Sequence, residues 1–513
     1  MRLSYAHFFL VAVTSFSAIA FDQAAGEVRD SVVRIEVTSR GPDLARPWLR
    51  RSPTRSSGTG VVIEGGKILT NAHVVRYASQ IEVQPSDASE KLVATVEVIA
   101  PGIDLALLSV ERQGAIDRLP PLPFAEELPQ LKQQISVLGY PVGGKDLSVT
   151  EGVVSRIEFA KMYYDARGLR IQVDAALNPG NSGGPAISDD KMVGLVFSGI
   201  READNIGYLI AIEEIEAFLA DVEDGVYDGK PTVALGGGAN RLENQALRDS
   251  LGVAEEVSGV VVHKVLSKLP DGLWPNDVIT HVGKHNIDNQ GNVLFGDHLR
   301  LNFNYFLDKV VQDNRVPMTV IRNGEQQELR VPVDQGVSRV IKPLKHQYPE
   351  YFIWGPVAFT AASAELARGG NRKVWELFYL SNNPMLGRLQ EWQPTPTKEI
   401  VIIPNRMFPS RISRGYDAIL MAVVESVNRV PVVNLAHLVE LLRDSQDEFI
   451  RIELAGYYSP LVFRRSEAEA ITEQILTDEG IRYRASESLR KIWEKKQVGT
   501  GSAVIEHKEH KDT

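Results

Sequence analysis

Three short stretches carry side chains that could perform nucleophilic catalysis. Thr70-Asn71-Ala72-His73-Val74-Val75 places a histidine after an apolar run. Asp104 leads into the apolar run Leu105-Ala106-Leu107-Leu108. Ser182 sits inside Asn178-Pro179-Gly180-Asn181-Ser182-Gly183-Gly184-Pro185. Taken singly, each has an ordinary explanation: a satisfied structural histidine, a turn residue before a strand, a tight glycine turn. Taken in the order His, Asp, Ser, they meet one chemical need. A serine hydroxyl is a weak nucleophile at neutral pH and requires a base within hydrogen-bond reach. Imidazole titrates near that pH, and a buried carboxylate fixes its tautomer and stabilises its cation. His73, Asp104 and Ser182 are therefore the candidate catalytic residues. The oxyanion that forms during acyl transfer needs inward-turned backbone N–H donors, and glycine adopts such conformations readily. The Gly180 and Ser182 amides are the candidate oxyanion hole, with Asn181 shaping the turn between them.

These residues must be positioned by strands. Short β-rich runs recur at 31–37, 59–64, 67–70, 80–84, 91–99, 105–110, 133–138, 148–157, 169–174, 192–198 and 207–211, separated by turn residues, which suggests a barrel or sandwich. Residues 40–58, with Arg40, Arg46, Arg50, Arg51 and Arg55 among Gly, Pro and Ser, read as an exposed basic loop. Residues 212–222 read as a helix with Ile212, Ile215, Phe218 and Leu219 on one face. A linker follows at 223–231. A second unit, 231–335, opens with Leu235-Gly236-Gly237-Gly238. It continues with a helix (ENQALRDSLG), strand-like runs at 259–265 and 277–282, a helical segment at 298–313, and two further strands. A third unit, 340–465, ends in a similar strand–helix–strand pattern. A helical segment, 466–494, and a polar tail, 495–513, complete the chain. His507 and His510 in that tail are weak metal bait beside the simpler reading of a solvated tail.

Composition narrows the function. The chain has 513 residues, 43% hydrophobic and 24% charged, which is ordinary globular usage. With 56 Lys+Arg against 66 Asp+Glu the net charge is −10, which gives no general attraction for nucleic acid. Cysteine is absent, so disulfides, thiolate metal sites and cysteine nucleophiles are excluded. No HExxH, Walker A or dinucleotide fingerprint stands in a suitable context, and no metal or cofactor is expected. Met1-Arg2, the apolar run Phe8–Ala20 and Ala18-Ile19-Ala20 read as a secretory signal peptide, residues 1–20. No later apolar run is long enough to span a bilayer. The expected location is periplasmic or otherwise exported.

The motifs TNAHVV (70–75), DLALL (104–108), LGYPVG (138–143), TEGVVSR (150–156), DAALNPGNSGGP (174–185), VGLVFSGI (193–200) and NIGYLIA (205–211) resemble the HtrA (Deg/DO-like) serine proteases. They cover most of residues 30–220 in the family's order, and that order differs from those of subtilisin and the α/β-hydrolases. The resemblance implies a mainly β fold: a trypsin-like double β-barrel over 21–225, followed by two α+β PDZ-type domains. SGVVVHKV (258–265) and PNDVITHVG (275–283) resemble the first PDZ domain, with Asn276 where the family usually has glycine. Residues 340–465 resemble a second, more divergent one. The layout, including YPEYFIWGPVAFT (348–360), is most similar to plant-type Deg proteases.

The resemblance implies peptide-bond hydrolysis through an acyl-enzyme, with Leu177, Phe197, Ser198, Gly199 and Tyr208 at the substrate. Leu177, Phe197 and Tyr208 suggest an apolar pocket and cleavage after small or medium aliphatic residues. Leu235, Gly236, Gly237 and Gly238 would form the loop that captures a peptide carboxylate by backbone amides. The implied partners are unfolded polypeptides, peptide C-termini and further copies of the chain in homotrimers or larger assemblies. The implied role is protein quality control under stress. A chaperone or peptide-binding scaffold with a latent protease site, and a regulatory protease with one signalling client, are the alternatives. In such enzymes the segment 158–168 relays activation from the PDZ domain, and Tyr163 and Tyr164 suit that role.

Overall fold

The computed structural model describes residues 28–495 apart from 87, 113, 145, 165, 200–205, 234–237, 266–270, 297, 334–337, 370–375, 377, 381, 394–396, 417–418 and 457. Residues 1–20, expected to be a signal peptide, Leu235–Gly237 of the expected carboxylate loop, and His507 and His510 lie outside the described residues. The chain divides into two compact units. Of the described residues, one unit holds those to Gly41, Arg51–Val337 and Lys345–Gln347; the other holds Pro42–Arg50, Ser338–Leu344 and those from Tyr348 onward.

The first unit begins with two closed six-stranded barrels. The strands of the first are β1 (Val32–Ser39), β2 (Thr54–Ile63), β3 (Lys67–Thr70), β4 (Ala78–Pro85), β5 (Leu92–Ala100) and β6 (Leu105–Val110). They close in the order β1-β2-β3-β6-β5-β4. Val33, Ile35, Val37, Ile68, Val83 and Leu108 fill the barrel. Each such side chain, fully buried, contributes about 1.5–3 kcal/mol. The second barrel comprises β7 (Gln134–Gly139), β8 (Ser148–Lys161), β9 (Arg167–Val173), β10 (Pro185–Ser188), β11 (Lys191–Gly199) and β12 (Gly207–Ala211). Ile135, Val137, Ile171, Val173 and Leu209 line its core. Closure leaves neither barrel with an open edge along its ladder.

Helix α1 (Ala72–Val75) is a single turn after β3, and α2 (Ile212–Asp221) follows β12. The apolar face expected of α2 is present: Ile212, Ile215 and Phe218 are buried. The same helix buries Glu214. Its carboxylate accepts hydrogen bonds from the Leu169 amide and from Lys230 Nζ, both at 2.8 Å. Burial pushes this carboxyl above its usual range, against the pull of Lys230.

Within the same unit, strands Ala239–Arg241, Val260–Val262, Val278–Val282, Arg315–Arg322 and Glu325–Pro332 form a sheet in that order. Asn276 has φ +75°, a left-handed conformation that asparagine tolerates. The expected helix at 298–313 is largely absent. Leu299–Asn302 is a strand paired with Asn292–Phe295, a 3-10 turn spans Phe303–Phe306, and only Leu307–Val310 is α-helical. Asn302 accepts the Asn304 amide at 3.2 Å and so starts the turn late. Phe303, Tyr305 and Phe306 are all buried, three of four consecutive residues, which is denser than the single apolar stripe of a surface helix. Tyr305 packs on Phe159 of β8 at 5.9 Å and donates to Glu213 at 2.8 Å, and Lys309 pairs with Glu213 at 3.0 Å. Burial and the facing carboxylate hold the Tyr305 phenol well above its usual range.

The second unit has a sheet of Tyr351–Trp354, Val357–Ala361, Val401–Ile403, Ala422–Val427, Phe449–Leu454 and Leu461–Arg464, with helix Leu435–Asp444 packed on it. The expected helical segment after 465 is two helices, Arg465–Asp478 and Glu487–Glu494, and Ala468 and Leu489 share the sheet's core. The basic loop at 40–58 is not simply exposed. β2 already begins at Thr54, and Pro42–Arg50 belongs to this second unit. Trp48 packs on Phe408 at 5.3 Å and Tyr351 at 6.3 Å, and the Arg50 guanidinium lies 4.3 Å from the Tyr348 ring centre. The driving groups are aromatic, so a reading weighted by arginines missed them. Among the described residues no helix is long and apolar enough to cross a membrane.

Candidate active site

Asp104 ends the turn before β6 with φ +60°, a conformation a short polar side chain accepts. Its carbonyl oxygen accepts the Ala72 amide at 3.1 Å and Asn71 Nδ2 at 3.0 Å. Its carboxylate is divided between two donors on one residue. Oδ1 accepts the His73 main-chain N–H at 2.9 Å, and Oδ2 lies 2.7 Å from His73 Nδ1. The aspartate thus fixes both the backbone and the ring of His73. The Asp104 side chain is 2% exposed and that of His73 is 40% exposed, so the imidazole is anchored on its dry side and open on the other.

The Ser182 turn lines the same cleft as His73 and directly precedes the strand pair β10–β11. The Asn181 amide donates to the Asn178 carbonyl at 3.0 Å, closing a four-residue turn with Gly180 in its third position at φ +102°. A positive φ at that position marks a type II turn and demands glycine or asparagine. The Pro179 carbonyl accepts the Val142 amide at 2.7 Å. In a trans peptide the carbonyl and N–H point oppositely. With the Pro179 carbonyl held by Val142, the Gly180 N–H points away from that loop. Neither it nor the Ser182 N–H donates to another group among the described residues. Gly180, Ser182 and His73 line one cleft of about 1420 Å³. A Cβ on Gly180 would lie 2.4 Å from the Tyr140 carbonyl oxygen. Gly180→Ala is therefore expected to cost at least about 1–3 kcal/mol in backbone strain alone, read as a lowered midpoint in urea unfolding. A midpoint equal to the parent's would mean the turn relaxes freely.

Among the expected substrate contacts, Leu177 and Phe197 line the cleft, joined by Val196 and Ile206. Gly207 permits this: a Cβ there would sit 2.2 Å from Leu177 Cδ1. The β11–β12 register shifts between Val196 and Ser198, so Phe197 is the extra residue of a bulge, a device that re-aims a side chain. Ser198 and Gly199 lie on β11 beside it. Tyr208 is not brought to the cleft. It is 7% exposed, 6.3 Å from the Phe197 ring, and has the Arg170 guanidinium 4.4 Å from its centre. Ile206 was not singled out from sequence, although it stands two residues from Tyr208 in the same run. Tyr163 lines the cleft and meets Phe197 edge-on at 6.5 Å. Gly238 of the proposed carboxylate loop has φ +81° and directly precedes the strand Ala239–Arg241.

The Trypsin-like peptidase domain family matches residues 58–195, and the PDZ domain family matches residues 340–488. Protease Do-like 4, mitochondrial, of Arabidopsis thaliana is 32% identical over 456 residues, covering 87% of this chain and 83% of its own. Protease Do-like 2, chloroplastic, of the same plant is 32% identical over 460 residues, covering 88% and 74%. A solved HtrA-type protease, AlgW with a decapeptide, is 23% identical, covers 61% of this chain and 98% of its own, and has a TM-score of 0.47. The chain accordingly belongs to the HtrA (Deg/Do-like) family of trypsin-fold serine proteases with PDZ domains.

Proposed function

We propose that the protein hydrolyses unfolded or misfolded polypeptides without ATP, through an acyl-enzyme on Ser182. The observation that carries this reading is the pairing of two features on one cleft. A histidine is held by a buried carboxylate, and lining the same cleft is a type II turn that leaves the Gly180 and Ser182 amides uncommitted. Ser182 attacks the scissile carbonyl, and His73 takes the hydroxyl proton and passes it to the leaving amine. Asp104 holds the ring and stabilises its cation, and the two amides receive the oxyanion. With the acyl side toward Leu177, Val196, Phe197 and Ile206, the residue before the cut is small or medium and aliphatic.

Peptide C-termini would add to the edge strand Ala239–Arg241, which pairs with Val260–Val262 on one side only among the described residues. Homotrimers or larger assemblies, export by the leader-like N-terminus, and a role in protein quality control complete the proposal. For location, the relatives named mitochondrial and chloroplastic support work beyond a membrane-translocation step.

A fluorophosphonate labels only a serine activated by its base. The expected result is a single adduct on the Ser182 peptide, with parallel loss of digestion of a permanently unfolded protein. An adduct elsewhere, or none on active protein, defeats the assignment. With a peptide pair differing only before the cut, Val over Lys should be preferred by about 100-fold in kcat/KM, because an unpaired ammonium would be buried. Equal turnover refutes the pocket.

A further inference from the structure

The carbonyl groups of the Ser182 turn are all held, and one residue of the other barrel holds two of them. Asn178 accepts from Asn181, Pro179 from Val142 and Asn181 from Gly184, all main chain to main chain. The remaining two, Gly180 and Ser182, are held by Thr59 of β2. The Thr59 hydroxyl donates to the Gly180 carbonyl at 2.8 Å, and its amide donates to the Ser182 carbonyl at 2.9 Å. The same hydroxyl accepts the Tyr140 N–H at 2.9 Å. Tyr140 is two residues from Val142, whose amide holds the Pro179 carbonyl. Thr59 is fully buried, and Thr70 Oγ1 fixes its carbonyl at 2.7 Å.

Thr59 supplies the one side chain in this set of five. We propose that the buried Thr59 hydroxyl is the positioning group that keeps the Asn178–Asn181 turn in its oxyanion-accepting form, although it touches no substrate. This rests on the reading of Gly180 and Ser182 as the oxyanion donors. A hydroxyl has one proton and lone pairs to spare, so it can serve Gly180 and Tyr140 at once. Valine has nearly the same shape and can serve neither. Its presence would leave a buried carbonyl and a buried amide unpaired, and rotating the turn's peptides is the available way to re-pair them. Loss of the Tyr140 contact would loosen the 140–142 segment whose Val142 amide holds the Pro179 carbonyl, and rotation of that Pro179–Gly180 plane would take the Gly180 N–H out of the cleft.

The test compares Thr59→Val and Thr59→Ser with the parent protein on a chromogenic peptide. Rates are taken per site labelled by fluorophosphonate. Thr59→Val should lower kcat by about 30-fold or more with KM within about threefold, since a donor used only in the transition state is lost. Affinity for a peptide boronate, whose tetrahedral adduct places an oxygen in the hole, should fall by a similar factor. Thr59→Ser keeps the hydroxyl and should stay within about threefold in kcat. Three results overturn the proposal. One is a Thr59→Val enzyme with parental kcat and boronate affinity. Another is a change confined to KM. The third is a folded Thr59→Ser enzyme with kcat reduced 30-fold, which would assign the effect to the methyl group. The last is measurable even where the valine variant does not fold. A parent protein that neither turns over the peptide nor binds the boronate defeats the underlying reading and this proposal with it.

Discussion

Ser182→Ala should lower kcat on an unfolded protein by about five to six orders of magnitude while leaving the fold intact. The main chain explains both halves of that expectation. The Ser182 carbonyl holds the Thr59 amide at 2.9 Å, and alanine keeps this bond. The turn is held by Gly180, by main-chain bonds at 178, 179 and 181 and by the Thr59 hydroxyl, none of which uses the serine hydroxyl. Only the nucleophile is removed. Unfolding midpoints of the two proteins should therefore coincide, and the variant should still bind peptide in the cleft. Because the catalytic groups act as one unit, Ser182→Ala combined with His73→Ala should be little worse than either alone. Digestion at the parental rate by Ser182→Ala, or a double variant several orders below both singles, would remove these residues from a common mechanism.

How much of this was legible in the sequence follows from how local each signal is. The Ser182 turn announces itself because its geometry demands residue identities: Gly180 for the positive φ and a peptide plane close to Tyr140 and Val142. His73 and Asp104 stand at the ends of short apolar runs that become β3 with α1 and β6, so the runs themselves marked them. β10 was not anticipated, since it opens on Pro185 and is four residues long. The cleft wall was read less well, for a physical reason. The bulge at Phe197 shifts the β11–β12 register by one residue, and a shift of one changes which face each side chain serves. Tyr208 looked like a pocket residue and packs on Arg170 instead, whereas Ile206 reaches the cleft.

Thr59 gave no warning. In Gly58-Thr59-Gly60-Val61 a threonine is an ordinary strand residue, and its partners lie 81 and 121 positions away. The same holds for Pro42–Arg50, whose aromatic anchor Trp48 finds its neighbours only beyond residue 350. The misread helix at 298–313 shows the converse: buried aromatics at 303, 305 and 306 interrupt a pattern that looked helical.

Asp104→Asn should reduce kcat by about four orders of magnitude, with KM within about threefold and little loss of stability. The two carboxylate oxygens have separate tasks, and asparagine can perform one of them. Oδ1 accepts the His73 main-chain N–H at 2.9 Å. An asparagine must keep its oxygen there, because its NH2 group would face another donor. That choice turns the NH2 toward His73 Nδ1, 2.7 Å from the position of Oδ2. Nδ1 must then accept, so the ring proton moves to Nε2. The nitrogen needed as base for Ser182 is then already protonated. The backbone does not oppose the change, since φ +60° at position 104 suits asparagine as well as aspartate. Asp104→Ala separates tautomer from scaffold. It leaves the part-buried His73 amide without its acceptor, which costs up to about 1–3 kcal/mol, and it places alanine at a left-handed φ. Alanine should thus be about as inactive as asparagine but measurably less stable in urea. An asparagine variant within tenfold of the parent would mean that His73 does not depend on this carboxylate for its tautomer. An alanine variant as stable as the asparagine variant would mean that the bond to the His73 amide does not hold the turn.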